Sequence, residues 1–284
     1  MRLDGLIIAL ILTSALMHAS WNAIVKSERD RLVGFGVVMA TGVPIGLAVL
    51  PFAGPMSMDA IPWLVLSGVI HVFYYFFLLS AYAHGDLSHV YPIARGMGPT
   101  LVAIFSGALI GEHLKLYEAA GVLLVSLGIM GLALARGWGN LGGRSTVFAM
   151  VTGVTIAGYT FADGLGGRAS GNPIAYIAWL NVVEGPWVLV YAVLRRRPGP
   201  VIAYLRTDGW RSIIGGTIAT VGYALAIYAL STGAMAHVAA LRETSVLFAT
   251  VIGTRLLGEP LGSKRVLAAF TIVAGLLLMN LRLG

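Results

Sequence analysis

Arg95, in YPIARGMGP (residues 91 to 99), and Arg242, in LRETS, each interrupt an apolar run long enough to cross a bilayer. A guanidinium at bilayer depth is costly unless it snorkels, finds a carboxylate or binds an anion. Its planar fork can hold a carboxylate or phosphonate in two-pronged fashion. Two chemistries follow for Arg95. Either it is a structural cation satisfied by helix carbonyls or by Glu243 or Glu184, or it faces a wet cavity, with Tyr91 on the same stretch, and grips a solute anion. For Arg242 the structural reading weighs more, because the adjacent Glu243 offers a charge pair that would lock its helix.

Other polar residues fall at helical spacing in apolar surroundings. His18, Trp21 and Asn22 share one face of the first apolar run, with Ser14 and Val25 beside them. His71, Tyr74, Tyr75 and Tyr82 form an aromatic face on the third, suited to an amphipathic solute. Thr152, Thr155, Tyr159 and Asp163 line the sixth run as one wall of a cavity would, and Thr217, Thr220, Ala224 and Tyr228 make a milder stripe on the eighth. Each stripe also has a plain packing reading, since such side chains hold helices together without a ligand. Glu184, near Pro186, reads either as a proton carrier or as one half of a structural pair.

The elements that must position these residues follow from composition. The chain has 284 residues, 58% hydrophobic and 11% charged, with a mean hydropathy of +0.86. Such a chain belongs in a membrane. The formal charge of +7 lies between the apolar runs, where the bilayer explains it better than nucleic acid does. Without cysteine there are no disulfides, thiolate metal sites or thiol nucleophiles. The run from Gly5 lacks a small-x-small cleavage site and reads as a span. Ten spans are expected, at about 4 to 25, 32 to 52, 61 to 82, 88 to 110, 116 to 135, 145 to 164, 173 to 194, 210 to 231, 236 to 256 and 264 to 282. The longest connection, residues 195 to 209, is expected along the membrane interface.

Laying the second half on the first at an offset of 147 places Arg242 on Arg95, Gly258 and Glu259 on Gly111 and Glu112, Leu261 on Leu114, and Gly275 on Gly128. A looser match sets Tyr159 over Trp21. The expected fold is therefore all-α and integral to the membrane, with repeats at 1 to 137 and 144 to 284. Five helices per repeat is an odd number, so the second repeat enters in the opposite sense, as in secondary transporters that bind solute between inverted repeats. Of the 19 Lys and Arg, 13 fall on the side of loops 1-2, 5-6, 7-8 and 9-10 and four on the other. The positive-inside rule then puts both termini outside the cytoplasm. Gly42 with Gly46 and Gly107 with Gly111 form small-xxx-small steps for close helix packing. Glu112 and Glu259 read as helix-start electrostatics.

HASWNAIVK on the first span, YPIARGMGP followed by GALIGEHL, and LFATVIGTRLLGEPLGSKRVLAAFTIVAGLLL near the end together resemble the drug/metabolite transporter superfamily, specifically its ten-helix EamA-type members. The duplicated GE turn and the five-plus-five layout carry the resemblance over essentially the whole chain. It implies a transporter of the inner membrane exporting amino acids, related metabolites or toxic organic compounds, through a cavity lined by helices 1, 3, 4, 6, 8 and 9. Many such relatives place both termini in the cytoplasm, the reverse of the charge count here.

The function expected is secondary transport of a small amphipathic solute, an amino acid best matching an arginine set among tyrosines and a tryptophan. Cationic drugs are the alternative and would need Asp163 or Glu184 open to the lumen. No GxxxxGK[ST], HExxH or GxSxG occurs. DGLGGR (163 to 168) echoes a phosphotransferase signature, but the later metal-binding aspartates are missing. The expected partners are the lipid bilayer and a small molecule, with proton coupling open and no cofactor, metal or nucleic acid.

Overall fold

The computed structural model describes residues 4–84, 87–134, 143–256 and 262–279, and every regular element among them is helical. The first repeat supplies α1 (Gly5–Lys26), α2 (Arg31–Ala40), α3 (Gly42–Ala53), α4 (Ile61–His84), α5 (Leu87–Ile110) and α6 (Leu116–Leu134). The second supplies α7 (Arg144–Ala169), α8 (Pro173–Glu184), α9 (Pro186–Arg196), α10 (Pro198–Thr207), α11 (Gly209–Thr232), α12 (Met235–Arg242), α13 (Ser245–Leu256) and α14 (Ser263–Met279). Among the described residues, eight stretches are long and apolar enough to cross a bilayer. Two shorter apolar helices, Leu116–Gly131 and Val266–Met279, stand where the fifth and tenth spans were expected.

Three expected spans are broken helices. The stretch Arg31–Ala53 divides at Thr41, because Pro44 has no N–H for the Ala40 carbonyl and the Thr41 hydroxyl takes the Val37 carbonyl at 2.8 Å. Pro173–Arg196 divides at Gly185, ahead of Pro186. Between α12 and α13 there is no proline. There the Thr244 hydroxyl takes the Leu241 carbonyl at 2.9 Å, and the backbone tightens through Glu243 N to Ala240 O at 3.1 Å and Val246 N to Glu243 O at 3.0 Å. Residues 198 to 207, expected as part of a connection, form α10 instead. Its Tyr204 hydroxyl is held by Glu28 at 2.7 Å and by Ser212 at 2.8 Å. Burial first, and then the Glu28 carboxylate, push the Tyr204 hydroxyl above its ordinary value, so it keeps its proton as a donor to Glu28.

The chain packs as two compact units, and each draws on both sequence repeats. One comprises Met1–Ile8, Phe73–Phe161 and Gly233–Gly284; the other comprises Ala9–Val72 and Ala162–Thr232. In the first unit α6 lies along α14, its repeat counterpart. A Cβ on Gly275 would come within 2.6 Å of the Gly121 carbonyl, and one on Gly128 within 2.9 Å of Ile272. Only hydrogen at these positions lets the two backbones approach so closely. Val125, Ile129, Val246 and Ile272 fill the space beside them.

In the second unit the two broken spans pack against each other. Gly42 faces Asn181, Gly46 faces the Ala178 carbonyl, and Gly185 faces Val43 and the Met39 carbonyl. Asp30 caps α2 through Leu32 N at 3.1 Å and also holds Arg196, at the end of α9, at 2.8 Å. The Gly42 and Gly46 step thus packs helices as expected. The Gly107 and Gly111 step does not. Gly111 has nothing within 4 Å of a Cβ and a φ of +69°, so it ends α5 rather than packing against a neighbour. Of the expected repeat matches, Gly258, Glu259 and Leu261 lie outside the described residues, as does the Tyr82 side chain.

Gly275→Leu is expected to overpack the α6–α14 interface, at about 1–3 kcal/mol, and to lower the thermal midpoint of the detergent-solubilised protein. Gly131→Leu, with open space at its Cβ, serves as the control. Equal melting of the two variants would show that the close approach is not needed.

Candidate functional site

Two groups of buried charged and titratable side chains stand out, one in each unit. In the unit containing α5, Arg95 is only 5% exposed and Glu243 2%. Arg95 Nε donates to Glu243 Oε2 at 3.1 Å, and Arg95 Nη2 stands 2.7 Å from Glu243 Oε1. The pair joins the two sequence repeats, because Arg95 belongs to the first and Glu243 to the second. Burying both charges costs several kcal/mol per ion, and their direct contact offsets this cost. Arg95 thus meets Glu243, one of the two carboxylates that the sequence offered it. Arg242, also buried, lies within electrostatic reach of the same carboxylate.

Local packing holds Arg95 in place. On one side Gly96 lets α5 approach α6, where a Cβ would stand 2.6 Å from Met130 and 3.1 Å from the Ser126 carbonyl. On another side Gly98 meets Ile156 and Gly153 meets Met97, which brings α7 equally near. Pro99, four residues on, has no N–H to give the Arg95 carbonyl, so this residue presents both a cation and a freed acceptor. On the partner side, the break after α12 places Glu243 at the end of a half-helix.

Three tyrosines complete this group. Tyr74, Tyr91 and Tyr159 all lie within electrostatic reach of Arg95. Tyr74 and Tyr159 meet edge to face at 5.5 Å, Tyr75 packs beside Tyr74 at 5.3 Å, and Tyr91 rests on Val125, Ile129 and Val246. Thr155 spends its hydroxyl on the Thr152 carbonyl of its own helix, at 2.7 Å. The arrangement is a buried cation with aromatic walls.

Glu243 holds only one edge of the Arg95 fork. Glu243 takes the Nε–Nη2 edge, and the outer nitrogen, Nη1, has no hydrogen-bond partner among the described residues. An oxyanion beside the Nη1 edge would meet donors fixed in position by the pairing on the other edge.

The second group, in the other unit, is a closed network. Asp163 is fully buried and accepts from the Ser67 hydroxyl at 2.5 Å, from the Tyr176 hydroxyl at 3.2 Å and from the Tyr223 hydroxyl. His71 Nδ1 stands 2.9 Å from the Ser67 carbonyl, and its Nε2 lies 3.2 Å from Glu184. Of the first-span stripe, His18 and Trp21 meet edge to face at 5.2 Å, Trp21 stacks on Phe35, and Asn22 donates to the His18 carbonyl at 2.7 Å. Thr220 lies beside the Gly42 contact, with Asn181.

Sequence reading missed Ser67, Tyr176 and Tyr223 as members of this network. Helical spacing held the signal: Ser67 lies one turn before His71, Tyr176 shares a face with Glu184, and Tyr223 lies three residues past Thr220. Glu112 does serve a helix start, as expected, but across the fold. Its Oε2 accepts from Met235 N at 2.8 Å, the first residue of α12. The start of α6 is held instead by Glu118, which accepts from Lys115 N at 2.8 Å.

Removing one partner of the buried pair is expected to be far worse than removing both. Glu243→Ala leaves Arg95 uncompensated and should cost about 3–5 kcal/mol, whereas Arg95→Met combined with Glu243→Leu should recover most of that loss. Thermal midpoints of the purified single and double variants test this. Additive losses would mean that the two side chains do not act as a pair.

Compared with known proteins, a family model described as the EamA-like transporter family matches the chain twice, over residues 5–134 and 144–281. A crystal structure described simply as that of a protein superposes with a TM-score of 0.76 at 17% sequence identity, covering 96% of each chain. At that identity the likeness concerns the fold alone. No curated protein is significantly similar in sequence.

Proposed function

On the premise that this chain belongs to the EamA-like transporter family, and is a multi-pass membrane transporter of the drug/metabolite superfamily, we propose that it exports small amphipathic amino acids. The supporting observation is the unused edge of the buried Arg95 fork. A solute carboxylate fits that edge, the Arg95 carbonyl freed by Pro99 can accept from an α-amino group, and Tyr74, Tyr91 and Tyr159 can flank a side chain. Movement is by alternating access, with helices of the two repeats shifting around the solute so that it faces one side of the membrane at a time. The half-helix end at Glu243 suits this role, because irregular backbone in membrane transporters lines the solute path.

Export of cationic drugs has less support. It needs Asp163 or Glu184 with an open face, whereas Asp163 already accepts from three hydroxyls and the buried Glu184 lies 3.2 Å from His71 Nε2.

The site in the cell is the inner membrane, with both termini on its outer side, as the distribution of basic residues supports.

Two experiments test this reading. In liposomes holding the purified protein, Arg95→Lys keeps the charge but loses the fork, and is expected to slow exchange of radiolabelled amino acids at least about tenfold. Exchange at the wild-type rate would remove Arg95 from the site. For orientation, the absence of cysteine allows single-site labelling. Arg197→Cys is expected to react with an impermeant maleimide only from the cytoplasmic side, and Met58→Cys only from the other; the opposite pattern reverses the orientation.

A further inference from the structure

The network around Asp163 takes no part in the solute reading, yet three helices bring titratable groups to it. His71 comes from α4, Asp163 from α7 and Glu184 from α8, and they are 4%, 0% and 7% exposed. The two carboxylates differ in their surroundings. Asp163 is surrounded by donors from Ser67, Tyr176 and Tyr223. Among the described residues the Glu184 carboxylate is paired with one side chain, His71, whose Nε2 lies 3.2 Å from Oε2.

The packed elements bring few other charges. From α11 the facing titratable group is Tyr223, whose hydroxyl also lies 3.4 Å from His71 Nε2. From α8 it is Tyr176, beside Glu184 itself. α3, which packs on α8, has no titratable side chain. Arg168, farther along α7, donates to the Leu230 carbonyl.

Charge counting then restricts the group. With His71 protonated and both acids ionised, one negative charge in a buried site is left without a cation. One added proton makes the three groups neutral together. A low-dielectric site therefore has two states that differ by one proton, with a large difference in electrostatic energy between them.

We propose that Glu184, His71 and Asp163 form a proton-loading site through which solute movement is coupled to the proton gradient, an inference that rests on the transport reading above. A proton from the acidic side loads the Glu184 carboxylate, loosens its pairing with His71, and leaves toward the other side after the conformational change. One proton is taken up and one released, and no other bond changes. Position supports the role. Glu184 is the last residue of α8, at the Gly185–Pro186 break, so its contact with His71 ties a half-helix end to α4. α4 carries Tyr74 one turn beyond His71, and α7 carries Tyr159 one turn before Asp163. Two of the three helices that hold the proton site, α4 and α7, thus also carry the Tyr74–Tyr159 contact.

Two measurements on the full chain test the inference. Infrared pH titration of the purified protein, with no solute present, reads protonated carboxyls directly. The wild type is expected to show a titrating component that Glu184→Gln removes and Asp163→Asn shifts. In liposomes a mixture of radiolabelled proteinogenic amino acids serves as the probe. Glu184→Gln is expected to keep exchange at equal pH within about threefold, yet lose accumulation driven by an imposed pH gradient at least about tenfold. The inference is overturned if gradient-driven accumulation survives in both variants, or if both leave the infrared titration unchanged. If the wild type exchanges nothing while the infrared component remains sensitive to Glu184→Gln, the transport reading fails and the coupling with it, but the proton site stands.

Discussion

A guanidinium at bilayer depth is costly unless an acceptor meets it, and this constraint organises the unit around Arg95. The direct partner, Glu243, comes from the other sequence repeat, so the charge pair also binds the two repeats together. Holding that pair requires α5 to stay close to both α6 and α7. Three glycines, Gly96, Gly98 and Gly153, remove the side chains that would hold those helices apart. The pair uses one edge of a five-donor fork, so satisfying the fold and binding a solute anion need not compete.

The second constraint is the backbone itself. In hydrocarbon every carbonyl needs a donor, and long unbroken helices are the simplest solution. Among the described residues the chain departs from that solution in three spans, at Thr41, Gly185 and Glu243. Two of the departures pack against each other with a glycine on one side of each close contact, and there threonine and asparagine side chains return donors to helix carbonyls. The third places a carboxylate at a half-helix end opposite Arg95. Two of these three breaks carry a buried carboxylate: Glu184 and Glu243 each sit at one. A helix end is where backbone dipoles are uncompensated, and a charge or a proton can balance them there.

Much of this was legible from residue order. Apolar runs marked the spans because bilayer thickness sets their length, and the offset that placed Arg242 on Arg95 marked the duplication. Helical spacing was enough to put Tyr159 and Asp163 on one stripe, and His71, Tyr74 and Tyr75 on another. The same spacing passed over Ser67, Tyr176 and Tyr223, since a hydroxyl on an apolar helix looks alike whether it meets a carboxylate or a carbonyl of its own helix. The break before Pro186 carried a visible signal, whereas the one at Glu243 carried none beyond Thr244, a residue that sits in unbroken helices as readily.

What residue order determined by itself is the environment and the inventory: a helical chain for a membrane, built as two related halves, with a few charges that hydrocarbon cannot tolerate alone. Hydropathy and period are local properties, and local properties survive in a string of letters. Which carboxylate meets which cation was decided only by tertiary packing. Glu243 is next to Arg242 in the chain yet pairs with Arg95, 148 residues away, because helix contacts made possible by missing side chains bring the distant cation within 2.7 Å. Ion pairing depends steeply on distance in a medium of low dielectric constant, and only the folded backbone sets that distance.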